Sequence, residues 1–182
     1  MKFRYLGNSG LKVSEICYGN WLTHGSQVEN EVATRCVETA LEVGITGVDT
    51  ADVYANTVAE KVLGKALAGE RRESIEIFTK VYWPTGRRGH NDCGLSRKHM
   101  TESLHASLKR MSTDYLDLYF CHRYDPDTPV DEVVWTMNHF IQQGKILYWG
   151  TSEWEPAQIM EAIGVAQRLD LIAPSMEQPQ YN

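Results

Sequence analysis

Ile75-Glu76-Ile77-Phe78-Thr79-Lys80 is a short apolar run that stops on a lysine. Its length and its branched and aromatic content read as a β-strand. Downstream, a polar loop from Pro84 to Gly94 leads to Ser96, an N-cap for a helix with Met100, Leu104, Leu108 and Met111 on one face. The same unit then repeats. Tyr115 to Cys121 is a strand ending at His122. Thr128-Pro129 opens a helix, with the proline at its first position, that carries Val133, Val134, Met137 and Ile141 and stops at Gly144. Ile146 to Trp149 is a strand ending at Gly150-Thr151-Ser152, Pro156 starts another helix, and Leu171 to Met176 is a last strand before Glu177-Gln178. Upstream, Ile16 to Gly19 and Ile45 to Val48 are strands, the latter ending at Asp49. They alternate with helices that carry Val32 to Leu41 and Val58 to Leu67.

The strand ends fall at Gly19, Asp49, Lys80, His122, Thr151 and Gln178, at intervals of 30, 31, 42, 29 and 27 residues. The long interval holds the polar loop. Strand–helix alternation near a period of 30 builds parallel sheets from βα units. A doubly wound dinucleotide fold carries G-x-G-x-x-G after its first strand, and this chain has no G-x-G. A (β/α)8 barrel instead puts its chemistry at the C-terminal ends of several strands, where the polar residues here gather. Such a barrel takes about 250 residues. With 182 residues, six strands and five helices, residues 1–182 read as the N-terminal part of one barrel domain. The rest of the barrel is expected from the same or another chain, and the phosphate site of the fold, after strands seven and eight, beyond residue 182.

Composition narrows the function. A net charge of −6 and a sequence pI near 5.5 argue against a non-specific nucleic-acid binder, which needs a basic stripe. The mean hydropathy is −0.39, and no apolar run is long enough to span a bilayer, so no membrane insertion is expected. MKFRYLGNSG has no export-signal pattern. Cys17, Cys36, Cys93 and Cys121 form no C-x-x-C pair. Cys17, Cys36 and Cys121 read as small buried hydrophobes, with a reducing, cytoplasmic setting as the default. His99 and His105 lack metal-ligand spacing on a helix, and no metal is expected.

Four side chains carry the chemistry: Asp49, Tyr54, Lys80 and His122. A lysine that ends an apolar strand is costly unless its charge is paired, and Asp49 on the neighbouring strand end is the natural partner. A cation beside a phenol favours the phenolate, so Tyr54 is expected to titrate below its ordinary value of about 10. It then serves as a proton donor, with His122 aiming a substrate carbonyl. Trp21, Tyr54, Trp83 and His122 are candidates for the wall of a substrate pocket, with aromatic cover of the barrel rim as the alternative. Arg87-Arg88 with His90 reads as a lure for anionic substrates or as a solvated loop.

Several stretches together resemble the aldo-keto reductase superfamily, in particular the branch of voltage-gated potassium-channel beta subunits and their bacterial relatives. They are Tyr5-Leu6-Gly7-Asn8-Ser9-Gly10-Leu11-Lys12-Val13-Ser14, Asp49-Thr50-Ala51-Asp52-Val53-Tyr54, Gly94-Leu95-Ser96-Arg97-Lys98, Tyr115-Leu116-Asp117-Leu118-Tyr119, and Gly144-Lys145-Ile146-Leu147-Tyr148-Trp149-Gly150-Thr151-Ser152. The resemblance implies a (β/α)8 barrel that reduces small-molecule aldehydes and ketones with NADPH, using Asp49, Tyr54, Lys80 and His122 as its tetrad. It implies cofactor contacts at Asn20, Trp21, Gln27, Asp49, Ser152 and Gln178, and a homo-oligomer as a common state of the branch. Channel beta subunits usually carry asparagine where this chain has His122, so the resemblance tilts toward catalysis over cofactor-dependent channel regulation; an inactive truncated fragment is the remaining alternative. Many branch members carry arginine where this chain has Glu153, which removes a phosphate contact.

Overall fold

In the computed structural model, which describes residues 1–86 and 89–181, six parallel strands line up in sequence order. They are β3 (Tyr18–Gly19), β4 (Gly47–Asp49), β5 (Glu76–Val81), β6 (Leu116–Cys121), β7 (Ile146–Thr151) and β8 (Met176–Glu177). Five helices connect them: α1 (Asn30–Glu42), α2 (Val58–Ala66), α3 (Arg97–Met111), α4 (Val130–Gln142) and α5 (Pro156–Leu169). This is the strand–helix repeat read from the sequence, an incomplete (β/α)8-type barrel. The Arg87-Arg88 pair lies outside the described residues. None of the described helices is long and apolar enough to cross a membrane.

Register fixes which side chains point inward. Phe78 pairs with Leu118 and Leu118 with Tyr148, while Lys80 pairs with Phe120, Phe120 with Gly150 and Gly150 with Met176. Side chains alternate along a strand, so these residues share one face, and Ile77, Val81, Tyr119, Cys121 and Trp149 share the other. The second face packs under the helices with Leu63, Leu104, Met137, Phe140 and Val165 in the main core. The first face holds a smaller cluster of Phe78, Leu118 and Phe120 with Leu6.

Leu6 comes from an element that periodicity does not reveal. Phe3–Tyr5 (β1) and Lys12–Ser14 (β2) form an antiparallel hairpin, too short to show alternation. It covers the inner face with Leu6, Leu11 and Val13. At its turn Gly7 has φ +53°, and a Cβ there would stand 2.7 Å from the Ser175 carbonyl oxygen.

Most element ends obey the expected chemistry. Ser96 caps α3 by accepting from the His99 N–H at 3.3 Å, and α5 starts with Pro156 behind a reciprocal Glu155/Gln158 box. Three expectations need correction. Pro129 is the N-cap of α4, one position before the helix, because its ψ is 132° and only its carbonyl joins the first turn. Leu171 to Met176 is not a strand except at its last residue. Pro174 has no N–H to give, and side chains take the local backbone groups instead: Asn138 accepts from Ile172 N–H and Trp149 donates to the Ile172 carbonyl. Cys17 and Cys36 are exposed, and among the three cysteines expected inside only Cys121 is buried. Cys17 lies two residues before Gly19 near the edge strand, and Cys36 lies on the solvent side of α1.

The helical layer has one position where backbones nearly touch. A Cβ on Gly64 in α2 would lie 2.6 Å from the Met111 Cα and 2.9 Å from its carbonyl carbon. Alanine normally stabilises a helix interior by up to about 1 kcal/mol over glycine. Here overpacking against immovable backbone outweighs that gain. Gly64→Ala is expected to destabilise the protein by about 1–3 kcal/mol, read as a lowered midpoint in urea denaturation.

Candidate active site

The parallel ladder runs on past the ends of the strands. His122 N–H bonds to the Val81 carbonyl at 3.0 Å, Ser152 N–H to the Cys121 carbonyl at 3.0 Å, and Gln178 N–H to the Thr151 carbonyl at 2.8 Å. Alternation from the inward residues Phe120, Gly150 and Met176 then brings His122, Ser152 and Gln178 to the same side. Lys80, in register with Phe120, lies one step below, and Asp49, in register with Phe78, one step further down on the same face.

At the floor, Lys80 is only 2% exposed. Its ammonium donates to Asp49 Oδ1 at 2.6 Å, the Thr50 carbonyl at 2.7 Å and the Tyr54 hydroxyl at 3.3 Å. Three acceptors match the three protons of the ammonium group. Tyr54 opens a 3-10 turn (Tyr54–Thr57) directly after the β4 loop, and Asp52 N–H anchors that loop to the Lys80 carbonyl at 3.3 Å. The second oxygen of Asp49 accepts from Gln178 Nε2 at 3.1 Å.

Above the floor, the rings of Tyr54 and His122 meet edge to face at 5.8 Å, and Trp83 meets His122 at 4.6 Å. Trp21 lies 6.3 Å from Tyr54. Together with Lys80, Arg123, Ser152, Glu153 and Gln178, these rings line a cavity of about 390 Å³. The four tetrad residues, Trp21, Trp83, Ser152 and Gln178 therefore meet in one place.

Two expected cofactor contacts stand apart from it. Asn20 is buried, and its amide donates to the Ala59 carbonyl at 3.3 Å and meets His24 Nδ1 at 3.3 Å. It fastens the loop after β3, and neither it nor the exposed Gln27 lines the cavity. Four lining residues escaped sequence reasoning: Val53, Arg123, Pro179 and Gln180. Arg123 and Gln180 belong to loops whose polarity looks ordinary, and only the adjacency of Arg123 to His122 marks it. The neighbouring Asp52 is also buried. It accepts from Ser103 Oγ at 2.6 Å, its other oxygen has no partner among the described residues, and burial pushes its carboxyl up to about 7.

The phenol of Tyr54 corrects another expectation. Its pKa is raised from the ordinary value, because burial outweighs the pull of Lys80 and the Asp49 carboxylate opposes that pull as well. The expected lowering left out the cost of burying a phenolate, which is the larger effect here. Tyr54 is consequently protonated at neutral pH. His122 moves the other way: burial, then the charges of Lys80 and Arg123, lower it to about 3. Its imidazole is neutral, with Nδ1 buried and without a partner among the described residues.

Two outcomes follow. In NMR titrations the His122 ring signals are expected to stay flat between pH 5 and 8. A histidine whose folded pKa lies below its unfolded value of about 6.5 takes up protons more readily when unfolded. Its contribution to stability is complete above that value and is lost as the pH falls from about 6.5 toward 3. Secondly, Asp49→Ala leaves a lysine buried beside neutral acceptors, and a loss of about 3–5 kcal/mol is expected in denaturant melts. Lys80→Met is expected to cost less, because Asp49 is 16% exposed and keeps Gln178 as a partner.

Comparison with known proteins agrees with this architecture. The model of the aldo/keto reductase family matches residues 15–182. A probable voltage-gated potassium channel subunit beta of Oryza sativa subsp. japonica is 47% identical over 184 residues, covering 100% of this chain and 56% of that protein. The corresponding protein of Arabidopsis thaliana is 48% identical with the same coverage. A putative channel subunit beta of Schizosaccharomyces pombe is 46% identical, covering 99% of this chain and 53% of its own length. The chain thus spans about half the length of the curated relatives it matches. A thermostable aldo-keto reductase crystallised with the inhibitor epalrestat superposes with a TM-score of 0.87 at 32% identity, over 100% of this chain and 63% of its own. The chain belongs to the aldo/keto reductase family.

Proposed function

We propose that the protein is an NADPH-dependent oxidoreductase that reduces aldehydes and ketones to alcohols, and that residues 1–182 form the N-terminal part of its single barrel domain. The observation that carries the reading is the floor of the cavity. A buried ammonium is held between a carboxylate and a phenol, with a neutral imidazole beside them.

Each group has a task that its geometry supports. Tyr54 is the proton donor: burial keeps its O–H in place at neutral pH. Lys80 already donates toward the Tyr54 oxygen and stabilises the phenolate as the proton leaves. Asp49 and the Thr50 carbonyl hold the ammonium so that no reorganisation is needed at that moment. His122 orients the substrate. An unmade bond is tolerated more readily at a lone pair than at a buried N–H, which puts its proton on Nε2. That N–H is available to a carbonyl oxygen, which it both aims and polarises.

The residues present fit the nicotinamide end of the cofactor. A carboxamide needs a fixed acceptor and donor. Gln178 donates one of its two Nε2 protons to Asp49, which leaves the other as a donor and Oε1 as an acceptor. Ser152 Oγ donates to the Gln178 carbonyl at 3.1 Å and keeps its lone pairs. When bound, the reduced nicotinamide supplies a hydride to the carbonyl carbon, and the proton from Tyr54 completes the alcohol.

A second reading is a cofactor-sensing channel subunit, favoured by the names of the plant and yeast relatives. Turnover separates the two. In the full-length protein carrying this sequence, Tyr54→Phe is expected to lower NADPH-dependent reduction of 4-nitrobenzaldehyde by about 100- to 10,000-fold, with NADPH binding nearly unchanged. Absence of turnover in the parent protein would favour the sensor, and near-normal turnover in the variant would place the proton elsewhere.

A further inference from the structure

Of the three charged side chains of the cavity, Arg123 and Glu153 meet no opposite charge among the described residues, and Arg123 is the cation. Lys80 is matched by Asp49. Glu153 uses Oε1 to accept the Gln180 N–H at 2.6 Å and makes no ion pair with Arg123. No carboxylate lies within 4.0 Å of the Arg123 guanidinium among the described residues.

The guanidinium is nevertheless held in place. Nη1 donates to the His122 carbonyl at 2.5 Å, and the guanidinium carbon sits 5.0 Å from the centre of the Trp83 ring. Trp83 in turn packs on the His122 ring. Arg123, Trp83 and His122 thus form one wall, a cation and an aromatic surface beside the nitrogen assigned to aim the carbonyl. A guanidinium has five N–H donors, and one is spent on the protein. It is half-buried, so it has lost part of its water and gained no anion in return. A fixed donor fork next to an aromatic face suits a planar carboxylate.

Resting on the reading of the site as a carbonyl reductase, we propose that Arg123 is a specificity-determining residue that selects aldehydes bearing an anionic group, with aryl aldehyde carboxylates as the fitting class. The ring lies along Trp83, the carboxylate meets Arg123, and the carbonyl reaches His122 and Tyr54. Arg123 binds the end of the substrate that does not react. It stabilises ground state and transition state alike, so its effect falls on KM.

The test compares 4-formylbenzoate with its methyl ester in the full-length, NADPH-loaded protein and in Arg123→Gln and Arg123→Lys variants. Arg123→Gln is expected to raise KM for 4-formylbenzoate by about 10- to 100-fold, the range of a charge-assisted hydrogen bond. The kcat and the parameters for the ester should change little, and Arg123→Lys should restore part of the loss. Independently of turnover, tryptophan fluorescence titrated with 4-(hydroxymethyl)benzoate should show the same loss of affinity in Arg123→Gln. An unchanged acid-to-ester ratio would overturn the proposal. A fall in NADPH affinity that slows both aldehydes equally would also overturn it, by assigning Arg123 to a cofactor phosphate. If the parent protein reduces neither aldehyde, the reductase reading fails, and the fluorescence titration alone decides whether Arg123 is an anion site.

Discussion

The ammonium of Lys80 is almost wholly withdrawn from solvent, and the surrounding structure answers to that fact. An uncompensated charge in such a place costs several kcal/mol. It persists because β4 delivers a carboxylate, the following loop delivers a carbonyl, and the 3-10 turn delivers a phenol. Those three partners come from a six-residue stretch, Asp49 to Tyr54. The stretch is itself pinned by backbone bonds to β5, from Thr50 N–H to the Phe78 carbonyl and from Asp52 N–H to the Lys80 carbonyl. The charge and the loop therefore hold each other. Gln178 extends the arrangement to the far edge of the sheet through Asp49.

The same arrangement sets opposite protonation preferences in two neighbouring rings. Burial acts on Tyr54 and His122 alike, by disfavouring whichever form is charged. The phenol is neutral when protonated and the imidazole is neutral when deprotonated, so one pKa rises and the other falls. A donor that keeps its proton and a polariser that carries no net charge result from one cause. The local cations reinforce the second shift and only partly offset the first.

Much of this was legible in the sequence because of a single regularity. Strands that end on Asp49, Lys80 and His122 at intervals near 30 residues specify both the parallel order and the gathering of those side chains. Ser152 and Gln178 are picked out by the family resemblance, at the ends of the two strands that follow. Other features lacked a periodic signal. The β1–β2 hairpin has strands of three residues. The stretch before β8 looks apolar enough for a strand, yet Pro174 and the side chains of Asn138 and Trp149 take it out of the ladder. Asn20 has the right position and residue type for a ligand contact, and only its bonds to His24 and Ala59 reveal a structural duty. The protonation of Tyr54 needed three dimensions, since it depends first on how deeply the phenol is buried and then on the charges of Lys80 and Asp49 beside it.

The hairpin that covers the inner face also bears on the order of assembly. Leu6 packs on Phe78, Leu118 and Phe120, and Gly7 approaches Ser175. Its landing surface is thus contributed by β5, β6 and the approach to β8. The hairpin precedes all of these elements in the chain and has nowhere to dock until nearly all of the described residues have been made. Contacts of such long sequence separation form late, because the loop they close is costly before other contacts exist. Until then the inner cluster stands open, and Phe78, Leu118 and Phe120 are the apolar surface that a folding chain has to keep from its neighbours.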